Sequence, residues 1–285
     1  MMKSSYSFKR ALLFGTLKHI LLILWALTTV IPLLWVLLNS FKASGEILRN
    51  SFALPVSFNL RNFSTVLSYP DVNMLRSFRN SFIISGSVVI LVVFLSGLAS
   101  FALGRFDVKT RRPILALLTG CLLVPSFATV IPNFVTISRL PFIRGGYLAA
   151  IIPQTAGNLS FATILLTGFM RALPRELDEA ALMDGVSIPR IFFSIAMPLC
   201  KSMFATISIM VFIWSYNDLF TSLVYIADQR LKPVCVILSM VSNMYGTDYG
   251  AMMAAIIITI VPLFLLYMFS QEQVVKGLTT GAVKE

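Results

Sequence analysis

The sequence predicts an all-α protein that crosses a membrane six times, and two observations support this prediction. Hydrophobic residues make up 57% of the 285 residues, whereas soluble domains are about 45–50% apolar. These residues are gathered in blocks, and a helix needs about 20 apolar residues to cross the hydrocarbon core. Six blocks have that length, at residues 20–38, 81–103, 114–135, 147–170, 203–226 and 250–270.

The first block is expected to stay in the chain as a membrane helix. A basic N-terminal stretch precedes it, as in a signal peptide, but the apolar run is too long for one and lacks a cleavage site. We divide the chain into an N-terminal segment at 1–75, which holds the first helix and an external segment, a membrane core of five helices at 76–271, and a cytoplasmic tail at 272–285.

The positive charge of the chain indicates how it lies in the membrane. The net charge is +11, and many of the basic residues lie beside the apolar blocks, four in the N-terminal stretch and four in the link at 104–113. The long 39–80 segment, predicted to be external, carries five more, but long loops weigh less in assigning orientation. This placement favours contact with lipid headgroups over a nucleic-acid partner, and we expect no nucleic acid. The positive-inside rule predicts that the N-terminus, the 104–113 link, the 171–202 loop and the C-terminus lie in the cytoplasm.

No pattern for catalysis, metal binding or ATP binding occurs in the sequence. The three cysteines, Cys121, Cys200 and Cys235, are far apart, and the single histidine is His19. We therefore expect no metal site. Because the chain lacks a Gly-x-x-x-x-Gly-Lys-Ser/Thr loop, a Gly-x-Ser-x-Gly elbow and a His-Glu-x-x-His pair, we predict that it is not an enzyme and holds no cofactor.

A polar segment at residues 174–198, here called the elbow segment, predicts a helix, a tight turn and a second helix. Pro174 suits the start of the first helix, and the carboxylates after it favour the positive end of the helix dipole. Gly185 falls where a residue in the left-handed conformation would end that helix. Ser187 can cap the second helix, and Pro198 would end it or bend it into the fifth block.

The spacing of six residues in the elbow segment resembles the EAA loop of ABC-importer permeases. Identity and spacing both agree at Glu179, Ala180, Ala181, Gly185, Ile195 and Pro198, while Met197 stands where the family usually has Leu. The tract Ser-Phe-Ala-Leu-Gly-Arg-Phe at 100–106 resembles the same family. Two others, Pro-Arg-Glu-Leu-Asp-Glu at 174–179 and Gly-Leu-Thr-Thr-Gly-Ala-Val-Lys near the end of the sequence, resemble its carbohydrate-uptake branch, the relatives of maltose permeases.

This resemblance implies the transmembrane domain of a type I ABC importer, which passes a sugar or oligosaccharide by alternating access. In the family the EAA loop is the cytoplasmic coupling helix that inserts into the ATPase subunit. Glu179 would meet basic residues of that subunit, Ala180 and Ala181 would permit close approach, and Gly185 would supply the bend. Ile195 and Pro198 complete the matching set.

The partners also follow from the resemblance. It implies a second homologous permease subunit, two copies of an ATP-binding subunit and an external solute-binding protein, assembled in the bacterial cytoplasmic membrane and surrounded by lipid. ATP would be bound by the separate subunit, since this chain has no loop for it.

Polar residues inside the predicted spans are the candidates for a solute path. Asp218 is the clear charged residue within a span, and such residues are costly there. It follows Asn217 in a tract, Trp-Ser-Tyr-Asn-Asp, that resembles the Trp-Asn-Glu type of sugar permeases. Asp218 could line the path or could fix the packing of helices through a buried hydrogen bond.

Spans three and four add further candidates. Gln154 and Asn158 are one helical turn apart on one face, and Pro153 and Gly157 predict a broken helix around them. Thr129 is expected to share a face of span three with Thr119, Ser126 and Asn133. The prolines of that span, Pro125 and Pro132, predict a bend in it. Hydroxyls and amides suit a polyhydroxylated solute, although the same groups also join helices to each other.

Three other functions are weighed against a sugar permease. A permease for a glycerol-phosphate ester would need Arg or Lys facing the path, and the spans hold none at mid-depth. A proton- or sodium-coupled secondary transporter would need ionisable residues in several spans, and Asp218 is the one that qualifies. A membrane scaffold without transport is disfavoured by the polar faces of spans three and four.

Overall fold

The computed structural model describes residues 2–68, 73–245 and 248–282, and every regular element in these ranges is helical. The all-α prediction is confirmed. Two 3₁₀ helices, Ser126–Thr129 and Gln229–Leu231, and one π-helix, Phe192–Ala196, join the α-helices. The helices are α1 Met2–Asn39, α2 Ser44–Arg49, α3 Arg61–Leu67, α4 Met74–Arg105, α5 Arg111–Leu122, α6 Val130–Ser138, α7 Tyr147–Arg171, α8 Glu176–Met183, α9 Ile188–Ile191, α10 Met197–Leu199, α11 Lys201–Tyr216, α12 Leu219–Tyr225, α13 Val234–Tyr245 and α14 Tyr249–Ala282.

Several of these helices are long and apolar enough to cross a membrane. Within the described residues, four do so alone: Gly15–Asn39, Met74–Arg105, Tyr147–Arg171 and Tyr249–Gln273. Two pairs pass the same test only together, because each is sharply bent. Arg111–Leu122 and Ser126–Ser138 meet at 93°, and Ile188–Leu199 and Lys201–Tyr216 meet at 79°. The described chain therefore has six spans if each bent pair is one span.

The third predicted span is sharply bent, as its prolines predict, and this bend corrects the expected position of Thr119. The helix α5 ends at Leu122, and Pro125 has an extended backbone before the next turn begins. Proline removes a backbone donor and fixes φ, so it separates the two helices well. Thr119 consequently lies on a different helix from the other three residues, and our expectation that it shares their face is wrong. Ser126, Thr129 and Asn133 do line one cavity.

The fourth predicted span is unbroken, which corrects a second expectation. The helix α7 continues through Pro153 and Gly157 to Arg171. An internal proline removes one hydrogen bond, but membrane helices tolerate it where surrounding groups satisfy the freed carbonyl. The predicted break around Gln154 and Asn158 is therefore wrong, and both residues project from a continuous helix.

The fifth predicted span ends earlier than expected. The helix α11 stops at Tyr216, and α12 begins at Leu219 in place of one helix over 203–226. Asp218 has an extended backbone, and its side chain accepts a hydrogen bond from the Thr221 backbone N–H at 3.1 Å. A carboxylate that caps the start of a helix in this way favours a non-helical backbone at its own position, so α11 ends before it.

The chain divides into two compact units. One comprises Met1–Tyr69 and Val241–Ile258, and the other Pro70–Met240 and Thr259–Glu285. The helix α14 runs through most of the predicted tail, and residues 283–285 of that tail lie outside the described residues.

Side-chain hydrogen bonds join distant parts of the first unit. The amide of Asn62 donates to the carbonyls of Ser40 and Lys42, each at 2.8 Å. The hydroxyl of Ser44 donates to Asp248, immediately before α14, at 2.8 Å. The loop after α1 and the start of α14 are therefore packed closely within this unit.

The second unit is built on the contact between α4 and α7. A stripe of small residues, Ser96, Ser100 and Gly104, is buried along α4, as the sequence spacing predicts for close helix packing. The Ser100 hydroxyl donates to the Thr163 carbonyl of α7 at 3.0 Å. A side chain at Gly104 would meet the Met170 Cβ at 3.0 Å, so the two backbones approach closely there.

We expect Gly250→Ala to destabilise the protein. A Cβ at Gly250 would clash with the Lys42 carbonyl oxygen and lie 2.5 Å from the Asn62 amide nitrogen. Overpacking of this kind costs about 1–3 kcal/mol. Gly86→Ala is the matched control, because a Cβ there meets nothing within 4 Å. Thermal unfolding of the detergent-purified protein should show a lower midpoint for Gly250→Ala alone, and equal midpoints would contradict the packing described.

Candidate functional site

The turn of the elbow segment has the geometry that the sequence predicts. Gly185 has φ of +74°. Its N–H donates to the Leu182 carbonyl, and the N–H of Val186 donates to the Ala181 carbonyl, both at 3.0 Å. These two bonds form a Schellman motif, which closes the end of a helix and needs a left-handed residue at the glycine position. The elbow segment is therefore a defined turn and not a loose loop.

The first helix of the elbow segment exposes some residues and buries others. It begins at Glu176, two residues after Pro174, and its acidic residues lie in the first turn, where the helix dipole favours them. Glu179 and Ala180 are exposed, whereas Ala181 is buried in the core. Met183 is 88% exposed. The exposed side of the helix thus carries a carboxylate, a small residue and a large apolar side chain.

The second part of the elbow segment joins it to the core. Ser187 occupies the cap position before α9 without a side-chain cap bond, and its carbonyl accepts from the Ile191 N–H at 3.0 Å. Ile195 is partly buried and packs against the core, while Pro198 is exposed in α10. The chain then bends by 79° into α11, close to the predicted bend at Pro198.

Arg105 is a residue of this region that sequence reasoning missed. Its Nε donates to Asp178 at 2.5 Å, and its side chain is 2% exposed. Its Nη1 donates to the carbonyls of Met170 and Leu173 at 3.0 and 2.8 Å, and its Nη2 to the Pro174 carbonyl at 2.8 Å. In the sequence Arg105 is one of four basic residues in a short link and the arginine of the family-like tract at 100–106, and neither feature gives it a partner. No local signal pairs it with Asp178, which is 73 residues away.

A cavity of about 780 Å³, lined by both polar and apolar side chains, lies among α5, α6, α7, α11 and α12. Its lining includes all five residues that the sequence nominated for a solute path: Thr129, Gln154, Asn158, Asn217 and Asp218. The breaks after Leu122 and at Asn217 lie beside this cavity, in agreement with the rule that irregular backbone at membrane depth lines a cavity or is buried in protein.

The polar residues of the cavity differ in what they bond to. Gln154 is buried, and its amide accepts from the Ser215 hydroxyl at 2.5 Å and donates to the Ser222 hydroxyl at 3.4 Å. It therefore joins α7 to α11 and α12. Asn158 and Asn217 each donate to a carbonyl of their own helix, at 2.7 and 2.9 Å. Both ends of the Gln154 amide are thus used to hold neighbouring helices together.

The cavity also has aromatic walls, formed by residues that were not among the predicted path residues. Phe127 is 71% exposed, Phe220 is 60% exposed and Trp214 is 42% exposed, and all three line the cavity. Among the lining residues in the described part of the chain, Asp218 is the charged one. The cavity therefore combines aromatic faces, amides and hydroxyls with a single carboxylate, the mixture typical of small-molecule sites.

A multi-helix membrane core, a polar cavity at its helix breaks and a projecting helical elbow together define a membrane transport component. Residues 96–280 match the family described as the binding-protein-dependent transport system inner membrane component. The chain belongs to this family, the permeases of ABC importers, which are multi-pass inner-membrane proteins. It is a family of transport proteins and not of enzymes.

Two relatives are similar over nearly their whole length. The chain is 32% identical to the diacetylchitobiose uptake system permease of Streptomyces coelicolor, over 95% of this chain and 89% of the relative. It is 31% identical to the trehalose/maltose transport system permease of Thermococcus litoralis, over 94% of this chain and 98% of the relative.

Solved structures share the fold. A chain of a bacterial ABC transporter involved in the import of the acidic polysaccharide alginate aligns with a TM-score of 0.78 at 21% identity, over 91% of this chain and 96% of that chain. A chain of the MetNI methionine ABC transporter, in an inward-facing form, aligns with a TM-score of 0.57 at 13% identity, over 72% and 95%.

We expect Asp218→Asn to keep the fold and Asp218→Ala to weaken it. Asparagine caps a helix as well as aspartate does, whereas alanine costs about 1 kcal/mol at such a position. Thermal unfolding of the purified protein should show a lowered midpoint for Asp218→Ala alone. An equal loss in Asp218→Asn would contradict the capping role and show that the charge itself stabilises the fold. Once Asp218→Asn is known to fold, its rate of solute transport reports on the carboxylate in the cavity.

Proposed function

We propose that this chain passes a neutral sugar or oligosaccharide through the polar cavity by alternating access, as one permease subunit of an ATP-driven importer. The lining of the cavity is the observation that supports this proposal. Aromatic faces and uncharged amides suit a polyhydroxylated solute, and about 780 Å³ falls within the range of about 300–1,000 Å³ found for ligand pockets. Thr129, Asn158, Asn217 and Asp218 are the proposed contacts, with Gln154 holding the helices around them.

The names of the relatives support a carbohydrate as the solute. Those relatives are named for diacetylchitobiose and for trehalose and maltose, and another, from Bacillus subtilis, for melibiose, raffinose and stachyose. A phosphorylated solute such as a glycerol-phosphate ester would favour a cation in the cavity. The lining residues of the described chain include a carboxylate and no lysine or arginine, which favours the neutral sugar.

We propose that the elbow segment is the site at which the ATP-binding subunit docks. Exposed Glu179 would pair with a basic residue of that subunit, and exposed Ala180 would allow close approach. Met183 would bury its side chain on docking, and burial of such a side chain contributes about 1.5–3 kcal/mol. Gly185 would hold the turn, while Ala181, Ile195 and Pro198 would connect the elbow segment to the core.

The proposed assembly contains a second homologous permease, two copies of the ATP-binding subunit and an external solute-binding protein. In this proposal the N-terminus, the 104–113 link, the elbow segment and the C-terminus lie in the cytoplasm, as the basic residues indicate. The division into residues 1–75, 76–271 and 272–285 belongs to the same proposal. The exposed apolar side chains of α1, such as Trp25 at 75% exposure, would face lipid or the second permease.

The deciding experiment is ATP hydrolysis by the co-purified assembly with its binding protein, across a panel of sugars and phosphorylated polyols. We expect one or a few sugars to stimulate hydrolysis. Stimulation by a phosphorylated polyol alone would keep the importer and overturn the neutral-sugar assignment. If no ATPase co-purifies with the chain, the docking role of the elbow segment is overturned and a secondary transporter is favoured.

We expect Gly185→Val to impair transport while the chain stays in the membrane. A Cβ at Gly185 meets nothing within 4 Å, so the change acts through the backbone conformation alone. A left-handed conformation costs an ordinary residue about 1–2 kcal/mol, which corresponds to about tenfold in an equilibrium.

Gly185→Asn is the matched control for this prediction, because asparagine visits the left-handed region more readily. Uptake of the stimulating panel sugar should fall by about tenfold in Gly185→Val and much less in Gly185→Asn, with equal amounts of chain in the membrane. Wild-type uptake by Gly185→Val would show that the turn is not needed for coupling.

A further inference from the structure

We propose that Arg105 is a positioning residue: through its ion pair with Asp178, α4 moves together with the elbow segment. This inference rests on the proposed docking role of the elbow segment and adds how movement there would reach the membrane helices. The four hydrogen bonds of the Arg105 side chain, to Asp178 and to the carbonyls of Met170, Leu173 and Pro174, are called the Arg105 clamp below.

The Arg105 clamp joins three parts of the chain at one buried point. Arg105 is the last residue of α4, Met170 is in the last turn of α7, and Asp178 is in the first turn of α8. The carbonyls at the end of a helix lack the usual partners within that helix. The Met170 carbonyl accepts from the Leu173 N–H at 3.3 Å, and the cationic side chain of Arg105 adds a second hydrogen bond to it. The residue therefore belongs to one helix and caps another.

Burial makes this junction stiff. The Arg105 side chain is 2% exposed and that of Asp178 is 19% exposed. Hydrogen bonds between charged groups are stronger than neutral ones, and separating a buried pair leaves an uncompensated charge in a region of low dielectric constant. The stretch from Leu173 to Asp178 is thus expected to move together with the end of α4.

The first helix of the elbow segment has a buried face, which contacts the core, and an exposed face. Asp178 points inward to the Arg105 clamp, while the next residue, Glu179, is exposed. A partner that pulls on the exposed face would therefore act on α4 through the adjacent carboxylate. This arrangement gives Asp178, which is not among the residues that match the EAA spacing, a specific role.

The far end of α4 is tied as well. The Asn80 amide donates to the Arg230 carbonyl at 2.8 Å and accepts from the Tyr147 hydroxyl at 2.7 Å. Tyr147 is the first residue of α7. Asn80 and Arg105 are roughly 38 Å apart along the helix at 1.5 Å per residue. Because α4 and α7 are joined at both ends, we infer that a pull on Asp178 moves the two helices as one body.

The test compares the buried ion pair with an exposed one in the same region. Asp107 lies two residues after Arg105 and pairs with Arg175 at 3.4 Å, but its side chain is 82% exposed. Exposed pairs contribute little, so Asp107→Asn is the matched control for Asp178→Asn. Arg105→Lys is the second test variant, since lysine keeps the charge and lacks the fork that reaches several acceptors at once.

Each variant is assembled as the full complex with its partner permease, ATP-binding subunits and binding protein in proteoliposomes. Three quantities are measured: the amount of assembled complex, ATP hydrolysis per complex, and molecules of the stimulating panel sugar taken up per ATP hydrolysed. For Asp178→Asn and Arg105→Lys we expect continued ATP hydrolysis and about a tenfold fall in uptake per ATP, within the range of coupling between sites. Asp107→Asn should match the wild type.

Two results would overturn the Arg105 clamp as a transmission element. One is a fall in assembled complex with unchanged uptake per ATP in the complex that remains, which is the signature of a purely structural role. The other is wild-type uptake per ATP in both variants. If the wild-type complex itself shows no solute-dependent ATP hydrolysis, the proposed function fails first, and the transmission role fails with it.

Discussion

No water is available in the hydrocarbon core of a membrane to bond a free backbone N–H or C=O group, so every interruption of a helix there must be satisfied by the protein itself. The break between α11 and α12 meets this demand, because the Asp218 carboxylate accepts from the Thr221 backbone. The side chains around such breaks are polar for that reason, and the cavity forms where they gather. The proposed solute path is thus a consequence of the way in which the spans are interrupted.

The same constraint explains the contact between α4 and α7. Lipid tails are as apolar as leucine, so helices in a membrane associate through close packing and hydrogen bonds and not through the exclusion of water. Ser100 and Gly104 allow the backbones to approach, and the Ser100 hydroxyl bonds across the contact. A pair of helices packed in this way suits a body that moves as a unit between two states of a transporter.

The elbow segment connects this membrane core to a proposed partner in water. Its Schellman turn at Gly185 gives it one shape, and exposed Glu179 and Met183 leave groups available for docking. The buried side of the same helix carries Asp178, which meets Arg105. One short helix therefore combines a surface for a partner with a charged attachment to the core.

Much of this protein could be predicted from local properties of its sequence. The length and apolar character of the blocks decided the all-α membrane fold, since a backbone in lipid must bond within its own segment. The need for positive φ decided the turn at Gly185, and the polar side chains within apolar blocks identified the residues that line the cavity. Each of these depends on residues that are close together in the chain.

Only the tertiary structure decided where helices continue and which distant residues meet. The helix α7 runs through Pro153 and Gly157 while the fifth span stops at Asn217, because the neighbours of each segment determine whether a lost bond is replaced or a cap is formed. The pairing of Arg105 with Asp178 could not be predicted from the sequence either. Their charges lie far apart in the chain, and they meet because the packing of α4 on α7 brings both into one buried place, where each charge needs the other.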